Sequence, residues 1–277
     1  VQRKQLLSSD ENRSRKSLRL SVNYAALDNK SVIFMLLIRH AMVILITGAS
    51  RGIGAALAGR LTGSGHTVLA VSRNRKGLQR IADECNQQTG KRLCHPIPFD
   101  LTDLTDLEEE FRSTVMNHAA TVDALVNNAG HMIHKPFRQF TLREARNLFE
   151  TNFFAPAQLI RIILPMMADS SLRHVVNITS MGGFQGSAKF SGLSYYSASK
   201  AALGNLTECL AEELGEEGIR VNALALGSVQ TEMLAEAFPG YRAPLKPDQM
   251  AGFLQWFILE GAGYFNGKIL PVSISTP

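Results

Sequence analysis

The chain has 277 residues, 45% hydrophobic, 19% charged and 7% aromatic, which fits one large α/β domain and excludes collagen-like and disordered chains. Of its 29 Lys/Arg and 24 Asp/Glu residues, 8 and 3 fall in residues 1–41, which leaves 21 of each sign in a neutral body and no argument for a nucleic-acid partner. Three scattered cysteines, Cys85, Cys94 and Cys209, form no CxxC pair and have no histidine at metal-ligand spacing, so a reducing cytoplasm and no metal are expected.

In chain order, residues 1–41 are expected to form a flexible basic extension, because the charged stretch Glu11–Arg19 has no sustained apolar period. The apolar run Val32–Ile38 stops at Arg39-His40, short of the roughly 20 residues of a membrane span. No small-residue cleavage site follows it, so neither a span nor secretion is expected. From Met42, strand-like runs alternate with helical patterns, the signature of βαβ units and a parallel sheet. Strands are predicted at Met42–Thr47, His66–Val71, Leu93–Phe99, Ala124–Val126, His174–Ile178, Arg220–Ala225 and Lys268–Val272. Helices are predicted at Ala55–Thr62, Leu78–Gln88, Leu104–Ala119, a long Leu142–Met167, Ala198–Glu217 and Pro247–Leu259. With no repeat or Pro-rich linker, residues 42–277 read as a single doubly wound Rossmann-type α/β domain.

After the first strand stands Thr47-Gly48-Ala49-Ser50-Arg51-Gly52-Ile53-Gly54, a turn opening into a helix. Its glycines let the backbone approach a pyrophosphate, which the helix N-terminus favours. The T-G-x-x-x-G-x-G spacing resembles that of the short-chain dehydrogenase/reductase family. Asn127-Asn128-Ala129-Gly130 matches the family's N-N-A-G element, Asn177-Ile-Thr-Ser180 its serine strand, and Tyr196-Ser-Ala-Ser-Lys200 its Y-x-x-x-K, in the family's order.

Residues i and i+4 share one helix face, so the Lys200 ammonium is expected to lower the Tyr196 phenol from its ordinary pKa of roughly 10. Tyr196 then serves as general acid in carbonyl reduction or as base in alcohol oxidation. The resemblance implies that Lys200 also holds the nicotinamide ribose, that Ser180 bonds the substrate oxygen, and that Asn152 holds a water relaying protons toward Lys200. Taken one at a time, each residue has a plainer reading. Lys200 is then an exposed helix charge, Ser180 a strand-end turn former and Asn152 a buried amide bonded to backbone. The joint pattern points to catalysis.

The second strand ends on Ser72 where an NAD-specific protein presents an acid, and Arg73 follows it. With Arg51 in the Gly-rich turn, two cations are expected to grip the 2′-phosphate of NADP(H). Asp100-Leu101 resembles the family's adenine-contacting pair, and Gly227, Val229 and Thr231 its nicotinamide-side segment, with Leu226 in place of the usual proline. A short lid over 232–247 carries Phe238-Pro239-Gly240-Tyr241 as an aromatic cover. His131, His134 and Lys135 lack a third metal ligand at suitable spacing. The expected activity is NADPH-dependent reduction of a ketone or aldehyde, or oxidation of the alcohol, and the resemblance implies a homodimer or homotetramer that pairs through the long helices. The alternative is a non-catalytic NADP-binding sensor or scaffold of the same fold.

Overall fold

A computed structural model describes residues 41–274; the basic extension predicted over 1–41 therefore lies outside the described residues except for Ala41. Its elements in chain order are β1 (Val43–Thr47), α1 (Gly52–Gly63), β2 (Thr67–Ser72), α2 (Arg75–Thr89), β3 (Cys94–Pro98), α3 (Glu108–Met116) and β4 (Ala124–Asn127). There follow α4 (Leu142–Phe149), α5 (Ala155–Ile163), β5 (His174–Ser180), α6 (Ser194–Glu213), β6 (Arg220–Leu226), α7 (Glu232–Ala237), α8 (Pro247–Glu260) and β7 (Ile269–Val272). Among the described residues the seven strands pair in parallel in the order β3-β2-β1-β4-β5-β6-β7. The chain winds outward from β1 to β3 and then returns to β4, so the order reverses between β1 and β4 and opens a crevice at their carboxyl ends.

Strand side chains alternate between two cores. Ile44 and Ile46 pack with Leu57, Leu61, Leu78, Leu254 and Phe257 on one face, while Leu45 packs with Phe111, Leu159, Ile163 and Met167 on the other. Both faces are covered and buried, which explains why the strands read as continuous apolar runs.

The predicted helix Leu142–Met167 is not continuous. Pro156 has no N–H to donate to the carbonyl of Asn152, four residues back; the ladder widens into a π turn over Glu150–Phe154, and a 3-10 turn over Leu164–Met167 closes the segment at Pro165. Helix α6 starts and ends four residues before its predicted bounds. Gly192, at φ +81°, turns the chain just ahead of it, so Tyr196 and Lys200 both lie in its first two turns. Helix α7, within the lid, is not among the predicted helices; Thr231 caps it by accepting from the Leu234 N–H at 3.3 Å.

Candidate active site

The Gly-rich turn and the N-N-A-G element form one unit. Gly48 sits at φ +67°, and a Cβ there would stand 2.9 Å from the Ala129 Cα; at Gly54 a Cβ would stand 2.5 Å from the Gly48 carbonyl oxygen. Thr47 locks the pair from below. Its hydroxyl oxygen accepts from the N–H groups of Asn128 at 3.0 Å and Ala129 at 2.9 Å, and the Asn128 amide donates to the Thr47 carbonyl at 2.8 Å. Beneath this, Asn127 Nδ2 donates to Asn177 Oδ1 at 2.8 Å and Asn177 Nδ2 to Thr207 Oγ1 at 2.9 Å, joining β4, β5 and α6. Helix α1 follows Arg51 at its N-cap, with no side-chain cap and no acidic residue in its first turn, so its leading amides remain for an anion.

At the outer end of the cleft Ser72 Oγ donates to Ser50 Oγ at 2.9 Å. The two arginines expected to face a phosphate each meet a carboxylate of this chain. Arg51 Nη1 lies 3.0 Å from Glu236 Oε1, and Arg73 Nη1 3.8 Å from Asp100 Oδ2. Both arginines are exposed, so these pairs are weak and exchangeable. Asp100 also accepts from the N–H and hydroxyl of Thr102, at 3.1 and 2.9 Å, which caps the short turn containing Leu101.

At the inner end Lys200 is only 4% exposed, which excludes the surface-charge reading. Its Nζ donates to the Ile178 carbonyl at 2.8 Å, and burial brings its pKa down to about 8. Burial pushes the Tyr196 phenol up, and a hydrogen bond with Ser180 only partly offsets this. The expected lowering of Tyr196 by Lys200 is therefore corrected: desolvation of the phenolate dominates, and the ammonium is spent on a backbone carbonyl. Asn152 is fully buried; its Oδ1 accepts from the His131 N–H at 2.8 Å, and its Nδ2 donates to the His131 carbonyl at 2.8 Å and to Ser199 Oγ at 3.0 Å. Ser199 in turn donates to the Tyr196 carbonyl at 2.7 Å. The side chain of Asn152 thus ties the segment after N-N-A-G to the helix bearing Tyr196.

One cavity of about 820 Å³ runs between these ends, and every predicted site residue except Gly54, Asn152 and Lys200 lines it. Those three stand behind the wall and shape it. Met132, Met181, Phe190 and Leu193 also line it and are not among the predicted site residues, because apolar residues in connecting segments carry no periodic signal; nor are Met233, in the unpredicted helix α7, and Ser273, just past β7. The lid's aromatics reach the cavity: Phe238 packs on the His134 ring at 4.4 Å, and the Tyr241 hydroxyl bonds Ser228 Oγ at 3.0 Å. Among the described residues no group of three or more His, Cys, Asp or Glu is placed to hold a metal ion, and no helix is long and apolar enough to cross a membrane.

This arrangement coincides with a known class. The family model described as short chain dehydrogenase matches residues 42–242, and the chain belongs to that family. It is 35% identical over 194 residues to the ketoacyl reductase HetN of Nostoc sp., covering 70% of this chain and 66% of that protein. Its fold superposes on a 3-ketoacyl-(acyl-carrier-protein) reductase from Brucella melitensis complexed with NADH, at TM-score 0.75 and 26% identity over 83% of this chain and 96% of that one. A short chain dehydrogenase from Escherichia coli complexed with NADPH gives TM-score 0.76 and 26% identity over 83% and 95%. Nicotinamide-dependent oxidoreduction is the class of chemistry that this membership supports. The residues present fit such a cofactor: uncapped α1 amides, Gly52 in the left-handed conformation at φ +58°, and two cations beside the Ser72 end of β2.

Proposed function

We propose that the chain, through residues 42–277, reduces the carbonyl of an apolar ketone, 3-oxoacyl derivative or aldehyde with NADPH, and oxidises the corresponding alcohol in reverse. The observation that carries this reading is that Ser180 and Tyr196 face the same cavity as the Gly-rich turn, with Lys200 buried behind them. When bound, the nicotinamide supplies or accepts the hydride. The remaining work falls to the chain. The Ser180 and Tyr196 hydroxyls donate to the substrate oxygen and stabilise charge that develops there. Tyr196, held protonated by burial, releases its proton to that oxygen as an alkoxide forms, and recovers one in the reverse direction. Lys200 keeps a positive charge close to the forming phenolate and holds the ribose; Asn152 positions α6 through Ser199 and supports the water relay toward Lys200.

Met132, Met181, Leu193, Phe190 and Phe238 favour an apolar substrate body, and Met side chains adapt to its shape. The cofactor assignment uses Arg51 and Arg73, which exchange their weak carboxylate partners for the 2′-phosphate. Three free thiols suit a cytoplasmic setting. Assembly as a homodimer or homotetramer is supported by Phe154, 49% exposed beside α5; Leu203 of α6, fully buried, serves the core instead. A panel of carbonyl compounds followed by NADPH absorbance tests the activity. Tight NADPH binding with no turnover across the panel favours the sensor reading.

A further inference from the structure

The lid meets the Gly-rich turn through charge. Glu232 and Glu236 of α7 stand at i and i+4, on one face of the helix, and both carboxylates reach the turn. Glu236 Oε1 accepts from Arg51 Nη1 at 3.0 Å, and a Cβ built on Gly52 would lie 3.6 Å from Glu232 Oε2. The side chains in the Arg51–Glu236 pair are 48% and 66% exposed, so solvent screens the pair and its partners exchange readily. Under the reading above, Gly52 lies by the pyrophosphate and Arg51 by the 2′-phosphate. A carboxylate and a phosphate dianion on one guanidinium repel each other, so each weakens the hold of the other.

We propose that Glu236 is a specificity-determining residue: it competes with the cofactor's 2′-phosphate for Arg51 and so narrows the preference for NADPH over NADH. The proposal rests on the assignment of Arg51 to that phosphate. Glu232 faces the part of the turn that serves both cofactors, so its charge does not discriminate between them. Glu236 opposes only the phosphorylated one.

The test is titration of the full chain with NADPH and with NADH at low salt, followed by the fluorescence of the reduced nicotinamide. Wild type is compared with Glu236→Gln, Arg51→Ala and the double variant. Glu236→Gln is expected to tighten NADPH about two- to fivefold, the range of an exposed ion pair, and to leave NADH within error. In the Arg51→Ala background the same substitution is expected to change neither. A Glu236→Gln protein whose NADPH-to-NADH affinity ratio is unchanged or lower overturns the proposal, and the phosphate assignment survives if Arg51→Ala still lowers that ratio. An Arg51→Ala protein with the wild-type ratio removes the assignment itself, and the proposal with it.

Discussion

Strand β5 begins and ends in polar residues that do opposite things. At its amino end His174 is fully buried, with Nδ1 donating to the Ile258 carbonyl at 3.0 Å and Nε2 accepting from Asn222 Nδ2 at 3.1 Å. Close by, Asp123 accepts from the Val43 N–H at 2.7 Å and from Ser170 Oγ at 2.6 Å. At its carboxyl end Ser180 and its neighbour Tyr196 line the cavity, where their hydroxyls can meet a substrate. Each ring nitrogen of His174 is committed to the fold, whereas the polar groups at the other end keep bonding capacity for a ligand. Closed networks stabilise and open ones react, and a single seven-residue strand carries both.

The largest effect that separates the ends is expected from Tyr196→Phe. It keeps the ring and removes the transferable proton, so turnover should fall about 10²–10⁴-fold while cofactor affinity and melting temperature stay close to wild type. Steady-state rates beside a cofactor titration check it, and wild-type turnover removes Tyr196 from the chemistry.

The amino end predicts the converse, a loss of stability on acidification. Burial holds His174 at about 4, below its ordinary 6.5, so the native state prefers the neutral ring. A protonated Nε2 could no longer accept from Asn222. The unfolded chain therefore binds the extra proton first. The contribution is complete above pH 6.5 and drains away as pH falls toward 4, to a total of about 3 kcal/mol. Urea unfolding at pH 7.5 and pH 4.5 measures it, and a His174→Asn variant should lose much of the pH dependence.

Gly54→Ala is expected to blur the contrast, because its Cβ meets both the Gly48 carbonyl and the Asn128 amide, which is tied to the Thr47 carbonyl. A destabilisation of about 1–3 kcal/mol, seen as a melting point lower by several degrees, should accompany weaker cofactor binding. Intact affinity would mean that the turn can shift without losing its anion site.

The smallest expected effect lies at the exposed rim. Wild type should favour NADPH over NADH by at least about tenfold in kcat/KM. Ser72→Asp with Arg73→Ala should shrink or invert that ratio and spare the chemistry at Tyr196. A wild-type preference for NADH would mean that Arg51 and Arg73 stay with Glu236 and Asp100.

The order of the strands along the chain, most of the helices and the four motifs are legible in the chain alone, because alternation, glycine spacing and the i, i+4 pair of Tyr196 and Lys200 are properties of neighbouring residues. Many of the proposed site residues follow strand ends, which the alternation locates, and they line one cavity. The rest depends on segments far apart in the chain coming together. The break in the helix at Asn152 was signalled by Pro156, but its use, tying His131 to Ser199, needed three segments to meet. Whether Lys200 lowers Tyr196 depended on how deeply both are buried and on the Ile178 carbonyl, which the i, i+4 spacing does not reveal. The partner of Arg51 lies 185 residues away in the chain. Charge pairing and desolvation act through space, and only the folded chain sets which groups are near and how much water remains between them.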